Sequence, residues 1–328
     1  MARRGPLSLN NQSPSKPARW TGRQFHNQPE ASHTHGFLAD LWEEVRAATG
    51  GALAIAVHAQ NAGIAGSDPG ALEMLLGGEL EFMTLMGGIL GKVVPAAEIQ
   101  GLPFAFSSHA QVHAAMRGAL GDYLRQEMSA KGIHGFRDGV LENGFRHIAS
   151  IDRQVRSAAD LAGYRMRIPD GRVFEDAFRS LGATPIVVNI RELYGALRAR
   201  GVDGQENPLA VVEVNRLYEV STYLSLTAHM WSGFNLIGNL AFWRGLPGDV
   251  QEIVNRAVAT HIERQRSYTH AFNRELETRL VSERGMQLNA VDAASFRAVL
   301  SGEFYQRWRR ALGETAWRLL EDAAGRLR

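Results

Sequence analysis

The stretch Gly163-Tyr164-Arg165-Met166-Arg167-Ile168-Pro169 sets two arginines among apolar residues and closes on a proline. Tyr164, Met166 and Ile168 alternate with Arg165 and Arg167, so as a strand it has one apolar and one cationic face. Pro169 suits a strand end, because it has no N–H to give to the ladder. Two readings fit. In one, an arginine stands at the rim of a cleft and binds an anion through its planar fork of donors. In the other, the stretch is an edge strand and both arginines are solvated.

Working outward, strands and helices alternate. Trp20 to Pro29 reads as a first strand ending in polar Gln24, His26, Asn27 and Gln28. Leu38, Leu41, Trp42 and Val45 mark a helix that stops at Gly50-Gly51, and Leu53, Ile55 and Val57 alternate as a strand. Ser67-Asp68-Pro69 reads as a cap with proline at the first helical position. Leu80 to Met86 is apolar enough for a buried parallel strand, and one helix is expected from about Ser108 to Ala130. Ile133 to Ile151 reads as strand interrupted by Gly135, Gly139 and Gly144, where the chain should cross into a second lobe.

Downstream of the opening stretch, Asn189 and Glu192 predict a capping box, and Asn207-Pro208 a cap and first helical residue. Thr222 to Leu240 should return as a long strand pair. Asp249 to Arg284 contains no proline or glycine. Val250, Val254, Val258 and Ile262 form one stripe there, and Tyr268, Phe272, Leu276 and Leu280 form a displaced second one. A single helix would be roughly 50 Å long and pack its stripes on two lobes; a break near Gln265 is the alternative. The pattern is that of an α/β fold with mostly parallel sheets.

Composition narrows the function. Of 328 residues, 45% are hydrophobic and 21% charged, as in soluble globular chains, and the length suits two lobes. The net charge of +2 gives no footprint for nucleic acid. With no cysteine there is no disulfide, thiol nucleophile or thiolate metal site. Residues 1–20 read as a disordered polar leader without the apolar segment of a signal peptide. The least charged run, Leu224 to Phe242, carries His229, Asn235 and Asn239, which are costly in hydrocarbon, so no membrane span is expected.

Chemical motifs fail one by one. Gly87-Gly88-Ile89-Leu90-Gly91-Lys92 has the wrong spacing for a phosphate loop, and Val93 stands where Ser or Thr should hold magnesium. His109 and His113 are four apart on a helix but lack an evident third metal ligand; a solvated helix face is the plainer reading. There is no Gly-x-Ser-x-Gly elbow. No catalytic residue, metal site or cofactor is therefore expected. What remains is Arg146, Arg167 and Asn207, each where a strand meets a loop, the usual place for ligands in α/β sheets. His229 and Trp231 on the returning strand would add a donor and an aromatic wall, or else pack in the core.

Asn143-Gly144-Phe145-Arg146, Asp160 to Pro169, Glu192-Leu193-Tyr194-Gly195-Ala196-Leu197 and Gly201-Val202-Asp203-Gly204-Gln205-Glu206-Asn207-Pro208 occur in order. With these motifs the chain resembles the DctP-like solute-binding proteins of tripartite ATP-independent periplasmic (TRAP) transporters, over roughly residues 36 to 320. The resemblance implies a two-lobed periplasmic-binding-protein-like α/β fold with a hinge of crossing strands and a long helix spanning both lobes. Lobe I is expected as 21–143 plus 230–264, and lobe II as 144–229 plus 265–328. It implies periplasmic capture of a small organic acid and its delivery to TRAP membrane permease subunits. Arg167 matches the arginine that grips the substrate carboxylate, Arg146 a second cationic contact, and Asn207 a polar contact from lobe II. His229 matches a cleft position, and Gln28 lies near a loop that reaches the ligand. Ile190 stands where many members carry an aromatic residue that stacks on the ligand. A monomer is the default for a diffusing carrier. A cytoplasmic ligand-responsive sensor, or an enzyme on the same scaffold, stays open beside it.

Overall fold

The computed structural model describes residues 17–327. The leader expected to be disordered, residues 1–20, lies outside them up to residue 16, and its last residue, Trp20, already begins a strand. Strand β1 (Trp20–Phe25) lies between β2 (Leu53–His58) and β3 (Phe82–Met86), all parallel. Helices α1 (His33–Ala48) and α2 (Asp68–Gly77) make the crossovers. The Ser32 hydroxyl caps α1 by accepting the His35 N–H. Leu38, Leu41, Trp42 and Val45 are buried along it, and Gly50 and Gly51 turn out of it with positive φ.

A short helix α3 (Gly87–Leu90) follows β3. The expected helix from Ser108 to Ala130 is two helices, α4 (His109–Arg117) and α5 (Ala119–Ala130). Gly118, extended in backbone, breaks them apart.

The molecule is organised around two long strands. β4 (Ile133–Ser150) and β8 (Tyr223–Asn239) pair antiparallel along nearly their whole lengths. Between them in sequence come β5 (Arg165–Ile168), α6 (Arg172–Ser180), β6 (Thr184–Val187), α7 (Ile190–Arg198), β7 (Gly204–Asn207) and α8 (Leu209–Val214). Strands β5, β6 and β7 form a second parallel group. The hydrogen-bonded order is β2-β1-β3-β8-β4-β7-β5-β6. Two parallel groups are thus joined by antiparallel strands, so the sheet is mixed rather than mostly parallel. The expected strand pair at Thr222–Leu240 is one strand, because Ser232-Gly233 makes no turn and both residues stay paired with β4. It is merely irregular at Ala228, whose φ is +44°.

Helix α9 (Leu240–Gly245) leads into α10 (Gly248–Ser282), 35 unbroken residues and so about 52 Å long. No break occurs at Gln265, which is buried and bonds to both backbone polar groups of Glu142. Val250, Val254, Val258 and Ile262 join one hydrophobic cluster; Leu276 and Leu280 join a second, with Phe272 packed against it. Tyr268 departs from the expected stripe and is 47% exposed. Strand β9 (Gln287–Asn289), paired with β8, and helices α11 (Ala293–Val299), α12 (Glu303–Leu312) and α13 (Glu314–Ala324) complete the chain.

Candidate ligand-binding site

The opening stretch is not an edge strand. β5 lies inside the sheet between β7 and β6, with Tyr164, Met166 and Ile168 buried as its alternation requires. Its two arginines part company. Arg165, at the strand's start, is exposed and pairs with Asp203. Arg167, at the carboxyl end, is 2% exposed and lines a cavity of about 200 Å³. Residues at or just past the carboxyl ends of β1, β3, β5, β6 and β7 line this cavity, as the strand-end rule expects.

The Arg167 Nε donates to the Val188 carbonyl at 2.8 Å, which fixes the plane of the guanidinium. Among the described residues Arg167 forms no ion pair. Burial, with Arg146 nearby, pushes its pKa down to about 9, against the pull of Glu206 and Asp68. This is a desolvated cation aimed into a cavity, and an incoming anion would relieve it.

Arg146 is different. It is fully buried and lies over the Phe174 ring at 5.1 Å. Its Nε and Nη2 both donate to the Glu206 carboxylate, the latter at 2.7 Å. Nη2 also reaches Asn207 Oδ1 at 3.2 Å, and Nη1 reaches Ser232 Oγ at 3.2 Å. Burial alone would raise the pKa of Glu206, yet Arg146 and His229 hold it below the usual carboxylate range. Arg146 therefore touches the cavity with its charge already matched. Gly88 makes room for this arrangement: a Cβ there would meet the Phe174 ring at 2.6 Å. The glycine pair rejected as a phosphate loop serves packing.

Asn207 does not cap a helix. It ends β7 with its side chain in the cavity, donating to Gln205 Oε1 at 2.5 Å, and Pro208 takes the cap position. Gln28 also lines the cavity and donates to Asn27 Oδ1 at 2.8 Å. His229 and Trp231 are not brought to the cavity wall. On β8, Ser232 reaches Arg146 and Phe234 lines the cavity, so strand alternation turns Trp231 to the opposite face. There its indole N–H donates to Glu142 at 2.8 Å. His229 stands behind Glu206, 3.3 Å from it, and edge-on to Phe178.

Sequence reasoning missed Asp68. It is 4% exposed, lines the cavity, and accepts from Asn27 Nδ2 and Asn61 Nδ2, each at 2.7 Å. Burial raises its pKa, against those two bonds and Arg167. Its cap-like Ser-Asp-Pro setting hid it, and the polar Asn27 and Asn61 upstream were the available signal. Ile190, which stands where many members carry an aromatic residue, lines the cavity, and Phe234 of β8 brings a ring to the cavity wall.

Residues 25–310 match the model of the bacterial extracellular solute-binding proteins, family 7, called DctP. The chain belongs to that family. Its binding proteins are substrate carriers of TRAP transporters and periplasmic. The C4-dicarboxylate-binding periplasmic protein DctP of Rhodobacter capsulatus is 34% identical over 190 residues, 58% of this chain and 54% of its own length. The C4-dicarboxylate-binding protein DctB of Bacillus subtilis is 27% identical over 209 residues, 64% of this chain. The match spans 59% of DctB, so the chain covers little more than half of either DctP-family relative. A TRAP periplasmic solute-binding protein from Polaromonas, bound to D-erythronate, is 27% identical. It superimposes with a TM-score of 0.85 over 92% of this chain and 98% of its own. One from Roseobacter denitrificans, bound to L-galactonate, is 26% identical, with a TM-score of 0.84 over 94% and 99%. The fold is the two-lobed one of these DctP-family proteins.

Proposed function

We propose that this protein captures a hydroxylated monocarboxylate between its two lobes, in the periplasm, and delivers it to a TRAP-type permease. The observation that carries the reading is Arg167: a buried guanidinium, oriented by the Val188 carbonyl, facing a cavity without a partner carboxylate among the described residues. A ligand carboxylate fits that fork bidentately, and a closed, water-poor cleft strengthens the pair.

The monocarboxylate preference rests on the remaining charges. Arg146 is matched by Glu206, which leaves one cation for the ligand. Asp68 across the cavity would repel a second carboxylate and accept hydroxyl hydrogens instead. D-erythronate and L-galactonate, held by the Polaromonas and Roseobacter proteins, are acids of that kind. Asn27, Gln28 and Asn207 supply neutral polar contacts, and Met86, Ile89 and Phe234 an apolar wall. His229 acts one layer back, through Glu206.

For the lobes we take 21–143 plus 230–264 and 144–229 plus 265–328, moving as hinged bodies in a monomer. The break in the β4–β8 register between Glu142 and Gly144 supports a pivot there. A thermal-shift screen of organic acids tests the reading. An acid at about 100 times its dissociation constant should stabilise the fold by roughly 2.7 kcal/mol. Sugar acids should give the largest shifts. A silent panel with ligand-free, folded protein, or shifts from amines and neutral sugars alone, would overturn it.

A further inference from the structure

A second buried carboxylate lies on the face of β4 turned away from the cavity. Glu142 is 1% exposed and directly precedes Asn143, which lines the cavity. Its Oε2 contacts His109 Nδ1 at 2.8 Å and His113 Nε2 at 2.9 Å, both on α4. Its Oε1 accepts the Trp231 indole N–H of β8 at 2.8 Å. Burial would raise its pKa, but the two histidines pull it down to about 2. The carboxylate is therefore ionised and accepts only, which makes both imidazoles donors at these atoms. Among the described residues no three carboxylate, imidazole or thiol groups are arranged to hold a metal ion. The chemistry of the cluster is that of one fixed anion collecting N–H groups from two elements.

The backbone here is unusual as well. The β4–β8 pairing slips between Glu142 and Gly144, so ladder bonds are lost. Amide side chains of α10 hold the β4 backbone beside this slip. Gln265 accepts from the Glu142 N–H at 2.9 Å and donates to its carbonyl at 2.8 Å. Asn273 donates to the Asn143 carbonyl at 3.0 Å and accepts from the Ala210 N–H, in α8, at 2.8 Å. Gly144 follows with φ +130°, where a Cβ would meet the Asn273 amide at 2.8 Å. On one side of this point the chain is fastened by a charged cluster. On the other it is a glycine with no charged partner, whose carbonyl accepts a long bond from Ser232 Oγ at 3.4 Å.

We propose that Glu142 is a positioning residue for ligand capture. Its carboxylate pins β4 to α4 and β8, so that lobe closure turns at Gly144 and brings Asn143 to the ligand in one orientation. The inference rests on the reading of the cavity as a trap that closes between lobes.

The cysteine-free sequence allows clean double labelling. Glu73→Cys on α2 and Arg191→Cys on α7, both exposed, would carry nitroxides on opposite sides of the cavity. Distances are read by double electron–electron resonance, and affinity by calorimetry with L-galactonate. Glu142→Gln keeps the shape but puts an amide N–H against donors. It should broaden the ligand-free distance distribution and weaken L-galactonate binding at least about tenfold. Val254→Ala, a cavity in the core beneath α10, should lower the melting temperature yet leave the distribution as in the parent. An unchanged distribution in Glu142→Gln would overturn the proposal, as would equal broadening in Val254→Ala. If Glu142→Gln does not fold, His109→Gln with His113→Gln must give the same broadening, and its absence overturns the proposal. A parent that binds no acid while the label effect persists would refute the ligand reading and leave the pivot supported.

Discussion

Asp68→Asn should change which acid the cleft prefers. The Asp68 carboxylate is 4% exposed and held by Asn27 and Asn61 at 2.7 Å each, so its position is fixed while its charge is not neutralised. A ligand hydroxyl donating to it makes a charge-assisted bond worth about 1.5–3 kcal/mol. Losing that bond corresponds to roughly 10- to 150-fold in affinity. For a dicarboxylate the sign reverses. A second carboxylate about 5 Å from Asp68 would be repelled by about 3 kcal/mol at an effective dielectric constant of 20. Removing the charge lifts that repulsion. L-galactonate should therefore bind more weakly to Asp68→Asn and succinate more tightly. Calorimetry with both acids, and circular dichroism to confirm the fold, measures this. Equal losses for the two acids, or affinities that stay within a factor of two, would refute the reasoning.

Other consequences concern stability. Arg146→Ala leaves Glu206 buried without its partner and should cost about 3–5 kcal/mol in urea unfolding, with or without ligand. Leu276→Ala, in the second hydrophobic cluster, should cost about 2–5 kcal/mol by the same assay. His26 is fully buried, and burial, then His35, lower its pKa from 6.5 to about 3. The unfolded chain then binds more protons between those values, so stability falls as pH drops through that window, by about 3 kcal/mol at pH 4. His26→Gln should flatten that part of the urea-midpoint profile between pH 7 and pH 4.

Much of the fold was legible because the local signals were strong. The stripes of α10 and the glycine stop after α1 are written in periodicity and punctuation. The long strands were not. Gly135, Gly139 and Gly144 do fall at slips in the pairing, between Gly135 and Val140 and between Glu142 and Gly144, yet β4 runs through them as one strand because its partner β8, distant in sequence, resumes the ladder after each. Asn189 caps α7 by accepting the Arg191 N–H, without the reciprocal bond from Glu192. The full capping box is at Ser157 and Asp160. In the site, the alternation of the strand leaves Arg165 and Arg167 open between cleft and solvent, and it is the family resemblance that singles out Arg167, which the structure buries while Arg165 stays exposed. Asn207-Pro208 misled because the same pair reads as a helix cap, and only the β4–β7 register shows the asparagine in the strand. The sequence leaves Trp231 open between a cleft wall and the core, and strand parity sends it away from the cavity to Glu142. The pairing of Arg146 with Glu206, 60 residues apart, had no local signal at all.

The central claim, that the buried Arg167 is there for the ligand and not for the fold, is tested most directly by Arg167→Ala. Calorimetry against L-galactonate and urea unfolding would be run on the same preparation. Loss of a buried charge pair should weaken binding by about 2–5 kcal/mol, while the ligand-free variant unfolds no earlier than the parent, since a desolvated, unmatched cation has been removed. A variant that binds the acid as tightly as the parent would contradict the account.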